Sequence, residues 1–262
     1  MNATEAVRVQ RDGAVLEVTL DRPKANAIDG ATSRRMGEIF AAFRDDPELR
    51  VAIITAAGDR FFSAGWDLKA IAADGEPDWD MGVGGFGGLQ ELPGLNKPVI
   101  AAVNGMAIGG GFEVAMSADL IVAADHAQFA LPEIRAGILA DAATIKLHRR
   151  IPYHLAMDLL MTGRWIDAHE AQRVGLIRDV VPAAELLEHA RALARSLAEG
   201  PPLVLAAIKE VVRETAHLPI PQVFGMLERR ELPTVERLYT SEDMVEGARA
   251  FAEKREPRWQ GR

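Results

Sequence analysis

Short apolar runs alternate with segments of helical periodicity through the first half of the chain. Residues 14–20 (AVLEVTL) are rich in β-branched side chains and alternate toward their end, which predicts a strand. Residues 51–57 (VAIITAA), 98–103 (PVIAAV) and 120–124 (LIVAA) are nearly continuous apolar runs, the pattern of strands covered on both faces. Met36, Ile39, Phe40 and Phe43 fall at helical spacing within 30–44, with Asp29 placed as N-cap, and 110–118 reads as a second helix. Strands interleaved with helices predict an α/β fold with largely parallel neighbours.

From about residue 140 the period changes. Residues 140–151, 153–161, 168–174, 183–198, 203–215, 221–239 and 242–254 predict helices, punctuated by prolines at 152, 182, 201, 202, 219, 221 and 233. Only 176–181 predicts a strand there. The expected division is an α/β core of residues 1–195 and a C-terminal helical region of 196–262. Helices that cannot all bury a face on one core pack on other subunits, so this region is the expected oligomerisation region. Residues 74–88 (DGEPDWDMGVGGFGG) break every period and predict a long Gly-rich loop, of the kind that forms lids or is mobile.

The 262 residues are 48% hydrophobic and 26% charged, which argues against a disordered, collagen-like or coiled-coil chain. No run approaches the ~18 apolar residues of a membrane span. Residues 1–13 lack the apolar core of a signal peptide, so the expected compartment is the cytoplasm. With no cysteine, disulfides, thiol nucleophiles and Cys-ligated metals are excluded. The net charge of −8 speaks against nucleic acid or an anionic membrane as partner. The balance reverses locally: residues 249–262 hold five basic side chains (Arg249, Lys254, Arg255, Arg258, Arg262) against Glu253 and Glu256. Either a solvated tail or a local phosphate contact fits that stretch.

Four motifs bear on chemistry. Gly82–Gly87 spells G-x-G-x-x-G but follows no strand, so it is not a dinucleotide fingerprint. The six histidines never fall at the i, i+4 spacing of a helical ligand pair, and no metal site is expected. Residues 61–69 (FFSAGWDLK) put a small-residue turn, Ser63-Ala64-Gly65, after a strand, where a ligand can approach backbone N–H groups. Residues 105–113 (GMAIGGGFE) place glycines at a helix start, costly for the helix but able to aim bare N–H groups at a developing oxyanion. Glu113 follows in the first turn among apolar neighbours, and Glu133 lies twenty residues on in 129–137 (FALPEIRAG). Two carboxylates beside an oxyanion hole can move two protons, one at each of two adjacent carbons.

These motifs, in this order, resemble the crotonase (enoyl-CoA hydratase/isomerase) superfamily along the whole chain, from Arg22-Pro23-Lys24-Ala25 through FFSAGWDLK, KPVIAAVNG, GGGFE and FALPE to FAEKREPRWQGR. The segments 65–69, 84–89 and 241–262 resemble the branch that acts on carnitine-type thioesters. The resemblance implies a spiral of ββα units with a helical C-terminal region, assembled as homotrimers or dimers of trimers. It implies an acyl-CoA substrate and no cofactor, since coenzyme A is part of that substrate. It implies Glu113 and Glu133 as catalytic residues, with Glu113 serving the water and Glu133 the α-proton. It further implies an oxyanion hole from the N–H groups of Ala64 and Gly110, and CoA contacts at Lys24, Ala25, Trp66, Asp67, Leu68 and Lys254. Two glutamates favour hydratase or dehydratase chemistry over isomerisation. Beyond Gly137 the sequence departs from the family's Pro and paired glycines and runs Ile138-Leu139-Ala140-Asp141-Ala142-Ala143-Thr144, beside the expected acyl pocket. For a trimethylammonium acyl group, Trp66, Trp79, Phe86 and Phe112 are candidate aromatic faces and Asp78, Asp80 and Asp141 candidate charges; a plain or branched enoyl chain is the alternative.

Overall fold

The structure, a computed structural model, describes residues 5–67 and 79–262. Among these the strands, in chain order, are β1 (Val7–Asp12), β2 (Val15–Leu20), β3 (Val51–Ala56), β4 (Phe61–Ser63), β5 (Val99–Val103), β6 (Met106–Ile108), β7 (Leu120–Ala124), β8 (Gln128–Ala130), β9 (Ile166–Asp167) and β10 (Asp179–Val181). The helices are α1 (Gly30–Asp45), α2 (Gly110–Ser117), α3 (Glu133–Ala136), α4 (Asp141–Lys146), α5 (Tyr153–Thr162), α6 (Ala168–Arg173), α7 (Leu186–Glu199), α8 (Pro202–Thr215), α9 (Ile220–Glu228), α10 (Pro233–Tyr239) and α11 (Glu242–Glu253).

Two sheets share the strands. One has the order β1-β2-β3-β5-β7-β10, the other β4-β6-β8-β9. The chain spirals between them: β3 then β4, β5 then β6, β7 then β8, each pass adding one strand to each sheet. The unit ββα recurs as β1-β2-α1, β5-β6-α2 and β7-β8-α3. β3 and β5 are buried at every position, as their unbroken apolar runs predict. The α1 cap is also as predicted, with Asp29 Oδ1 accepting from Thr32 N at 2.8 Å.

The pattern of hydrophobicity missed two things. β1 is an edge strand whose residues after Val7 are exposed and mostly polar, so it carries no burial signal. The second sheet is built from strands of two or three residues, too short for any period to register. One predicted helix is also two: 221–239 breaks between α9 and α10, where Arg230 takes φ 52° just before Pro233.

The Gly-rich segment corrects a further expectation. Within its described part, 79–88, the segment 84–88 is a packed plug. It ends in a 3₁₀ turn at Phe86–Gly88 pressed onto α1 and α2. A Cβ on Gly88 would lie 2.3 Å from Gly37 N, one on Gly87 2.2 Å from the Val114 side chain, and one on Gly84 2.1 Å from Gly88 O. Glycine is there for contact. Residues 74–78 lie outside the described residues.

Most buried apolar side chains form one cluster extending to Ala194. A small second cluster of Ala207, Leu232 and Val235 joins α8 to α10. The packing of the plug makes Gly88→Ala costly, since φ is +73° and the Cβ has no room. We expect a loss of about 2 kcal/mol or more, or roughly 5 °C in Tm. Gly13→Ala, with φ +56° and nothing within 4 Å, should lose distinctly less in the same thermal melt.

Candidate active site

Parallel pairing delivers the three motifs to one place. β4 pairs with β6, and β6 with β8, all parallel. Their C-terminal ends therefore lie side by side and release Ala64–Asp67, Gly109–Glu113 and Leu131–Glu133 in a row. A cavity of about 540 Å³ opens there, lined by Ala64, Trp66, Gly110, Glu113, Glu133 and Asp141 among others.

The strand ends approach more closely than side chains would allow. A Cβ on Gly65 would stand 2.7 Å from Ile108 O and 2.9 Å from Gly110 N, and one on Gly111 would stand 2.3 Å from Ser63 O. On Gly109 (φ 54°) it would meet Glu133 Oε1 at 2.3 Å, and on Gly110 the Phe86 ring at 2.6 Å. These four glycines thus let the 63–66 turn, the Glu133 carboxylate and the Phe86 ring all touch the backbone of the α2 N-terminus. First-turn N–H groups have no partner within a helix, so Gly110 N–H is available to a ligand.

The second expected donor is corrected. Ala64 N donates to Ala25 O at 2.9 Å, so its N–H is committed. Gly65 N donates to Ser63 Oγ at 3.1 Å. Trp66 forms a parallel bridge with Ile28 through its neighbours, Ile28 N donating to Gly65 O at 2.8 Å and Asp67 N to Ile28 O at 2.9 Å. The backbone groups of Trp66 itself face away from Ile28, and its N–H has no acceptor among the described residues. Trp66 N–H is the free donor of this turn. No sequence signal marks it, because the choice depends on how residues 25–28 pair with 64–67.

Glu113 is 7% exposed. Its Oε1 accepts from Ala143 N at 2.8 Å and Oε2 faces Gln90 Nε2 at 3.5 Å. Burial raises its pKa above the usual carboxylate value, the Asp141 charge adds to this, and the two donors and Lys146 oppose it. Glu133, half-buried, has an Oε2 without a hydrogen-bond partner among the described residues. Burial, with the charge of Glu113 beside it, pushes Glu133 up to about 7. Two carboxylates of one cavity thus sit in different settings: Glu113 is met by Ala143 and Gln90, whereas the donor that opposes the rise at Glu133 is its own backbone N–H. Behind them, Lys146 Nζ donates to Gln90 O and Ser117 Oγ, both at 3.1 Å, and burial lowers its pKa. Ala143, Gln90 and Lys146 were not read from the sequence.

The expected CoA contacts separate. Trp66 lines the cavity. Asp67 accepts from Arg22 at 2.8 Å, and Arg22 also pairs with Asp29 at 2.7 Å, which clamps the 22–29 loop to the 64–67 turn. Lys24 is exposed and Ala25 lies one layer behind Ala64; neither is among the lining residues. Lys254, exposed, caps α11 with φ 52° and does not line the cavity either. Leu68 lies outside the described residues, as does Asp78. Of the proposed aromatic faces, Trp66, Trp79 and Phe86 line the cavity. Phe112 is fully buried in the core against Phe129, centroids 5.1 Å apart, and is corrected to a packing residue. Asp80 is exposed at the surface away from the lining, while Asp141 lines it.

Residues 10–262 match the family model for enoyl-CoA hydratase/isomerase. A carnitinyl-CoA dehydratase of Escherichia coli (strain K12) is 52% identical over 260 residues, covering 99% of this chain and 100% of that protein. One from Salmonella arizonae is 53% identical over 259 residues, with 98% and 99% covered. The crystal structure of an enoyl-CoA hydratase from Mycobacterium tuberculosis H37Rv superposes with a TM-score of 0.89 at 37% identity, covering 98% of this chain and 99% of that one.

The setting of Glu133 has a consequence for stability. The folded chain holds its proton up to about pH 7, whereas an unfolded glutamate releases it near 4.5. Between those values the native state binds more protons, so this group makes stability fall as pH rises. Glu133→Gln removes that loss. Its Tm should exceed that of the wild type at pH 8 and match it at pH 4; equal melting at both would contradict the buried setting.

Proposed function

The chain belongs to the enoyl-CoA hydratase/isomerase family, and from that premise we propose that it adds water to, and removes it from, the α,β double bond of an acyl-CoA thioester, with a carnitine-type acyl chain as the favoured substrate. The observation that carries this reading is the pair of carboxylates, differently held, beside the free N–H groups of Gly110 and Trp66.

The thioester carbonyl oxygen sits between the N–H groups of Gly110 and Trp66. That polarisation makes the β-carbon electrophilic and stabilises the enolate that follows; one such donor is worth about 10²–10³ in rate. Glu113 in its carboxylate form, with Oε1 held by Ala143 N–H, takes a proton from water as the water oxygen bonds to the β-carbon. The double-bond electrons move through the α-carbon onto the carbonyl oxygen. Glu133, protonated up to about pH 7, gives its proton to the α-carbon. Dehydration is the reverse, with Glu133 as base and Glu113 as acid. Both protons travel on side chains of this protein, so no cofactor enters the scheme, and coenzyme A arrives as part of the substrate.

The acyl assignment is supported by the rings of Trp66 and Trp79, 5.3 Å apart at 55° in the cavity wall, and by the names of the relatives. A plain or branched enoyl chain is favoured instead by Ile108, Ile138 and Leu139 in the same lining. Lys24, Ala25 and Leu68 remain the proposed contacts along the CoA chain. Lys254 is proposed to reach a CoA phosphate within an assembly, a homotrimer or pair of trimers packed through residues 196–262. Exposed Ile220 (71%), Phe224 (62%) and Phe251 (88%) of that region support such packing, and the separate cluster around Leu232 supports treating it as a unit distinct from 1–195. The reading places the protein in the cytoplasm; among the described residues no helix is long and apolar enough to cross a membrane.

Loss of the conjugated enoyl-thioester absorbance tests the scheme. Glu113→Gln and Glu133→Gln should each lower hydration about 10²-fold or more. Wild-type kcat/KM for hydration should fall above about pH 7, as Glu133 loses the proton it must donate. Full activity in either variant would remove the two-carboxylate mechanism.

A further inference from the structure

The cavity wall is acidic, and Lys146, whose charge bears on Glu113, stands behind that glutamate without lining the cavity. Glu91, Glu113, Glu133 and Asp141 line it, and no Lys, Arg or His does so among the described residues. Glu113 and Glu133 have chemical roles in the proposed reaction. Asp141 has none, and its carboxylate makes no hydrogen bond or ion pair among the described residues. It is the first residue of α4, two before Ala143, whose N–H holds Glu113 at 2.8 Å. It stands within one helical turn of that contact, and its charge bears directly on Glu113. The two like charges repel, which is why Asp141 raises the Glu113 pKa. A cation between them would relieve both.

Substrate chemistry fixes where such a cation would fall. Glu113 serves the β-carbon. In a 4-trimethylammonio-but-2-enoyl thioester the nitrogen is bonded to the carbon next to the β-carbon. The group beside Glu113 is then the one that faces the ammonium, and that group is Asp141. The tilted rings of Trp66 and Trp79, with Phe86 and Met81 in the same wall, supply the apolar surface that a quaternary ammonium favours.

We propose that Asp141 determines acyl specificity: its carboxylate is the counter-charge for a quaternary ammonium on the γ-carbon, so that the cavity selects a cationic acyl chain over a neutral one of the same shape. The proposal rests on the hydratase reading of this cavity.

The test uses two thioesters that differ in one atom: 4-trimethylammonio-but-2-enoyl-CoA and its neutral carbon isostere, 5,5-dimethylhex-2-enoyl-CoA. The readout is the ratio of their kcat/KM values. Both use the same two glutamates, so any effect of Asp141 routed through Glu113 cancels in the ratio. The wild type should prefer the cationic thioester. Asp141, exposed at the cavity wall, should give an effect of solvent-screened size: Asp141→Asn should lower the ratio about two- to fivefold, and Asp141→Glu, which keeps the charge, should retain most of it. An unchanged ratio in Asp141→Asn, or a wild type that favours the isostere, would overturn the proposal. A wild type that hydrates neither thioester, nor crotonyl-CoA, would overturn the hydratase reading and this proposal with it; hydration of crotonyl-CoA and the isostere alone would overturn only the proposal.

Discussion

Burying a carboxylate as deeply as Glu113 raises its pKa, and the donors around the cavity are arranged to oppose that rise. The first donor is the N–H of Ala143, 2.8 Å from Oε1, which is available because residues 141–146 turn into a helix directly over the glutamate. Ala142 and Ala143 in the first turn of that helix are good helix formers and favour it. Gln90 faces the other oxygen, and Lys146 fixes Gln90 from behind while placing a positive charge near the pair. Glu133, opposed only by its own backbone N–H, is pushed up to about 7 by burial. The difference between the two glutamates lies in their surroundings, and in the proposed reaction it would divide the labour between base and acid.

The second constraint is closeness. An oxyanion must reach two backbone N–H groups from different strands, and the β4 and β6 ends meet only because positions 65, 109, 110 and 111 have no side chain. The plug at 84–88 continues the same device: its glycines bring Phe86 against Gly110 and seat the turn on α1. Arg22, bridging Asp29 and Asp67, ties the N-cap of α1 to the oxyanion turn. One guanidinium thereby couples the first ββα unit to the reacting centre.

Much of this was legible in the sequence, and what was not has a physical cause. The long buried strands, α1 with its Asp29 cap, and the pairing of a glycine-led helix with Glu113 and Glu133 follow from local pattern and motif. The second sheet did not show, because strands such as Ile166–Asp167 are shorter than one period of alternation. The plug was misread because glycine density signals mobility and close packing alike, and only the neighbours at Gly37 and Val114 distinguish them. The free donor was placed at Ala64 and belongs to Trp66, since the pairing of two loops forty residues apart decides which N–H is left over. Phe112 looked like a pocket wall and is core, since a helix shows adjacent residues to opposite surroundings.

The division of labour between the two glutamates is tested most directly by a reaction that stops at the α-carbon. Butyryl-CoA has no double bond and no leaving group, so in D₂O the only event open to it is exchange of an α-hydrogen, which mass spectrometry counts. The account predicts that the wild type introduces deuterium, that Glu113→Gln still does so, and that Glu133→Gln does not. Exchange that survives in Glu133→Gln and disappears in Glu113→Gln would contradict it.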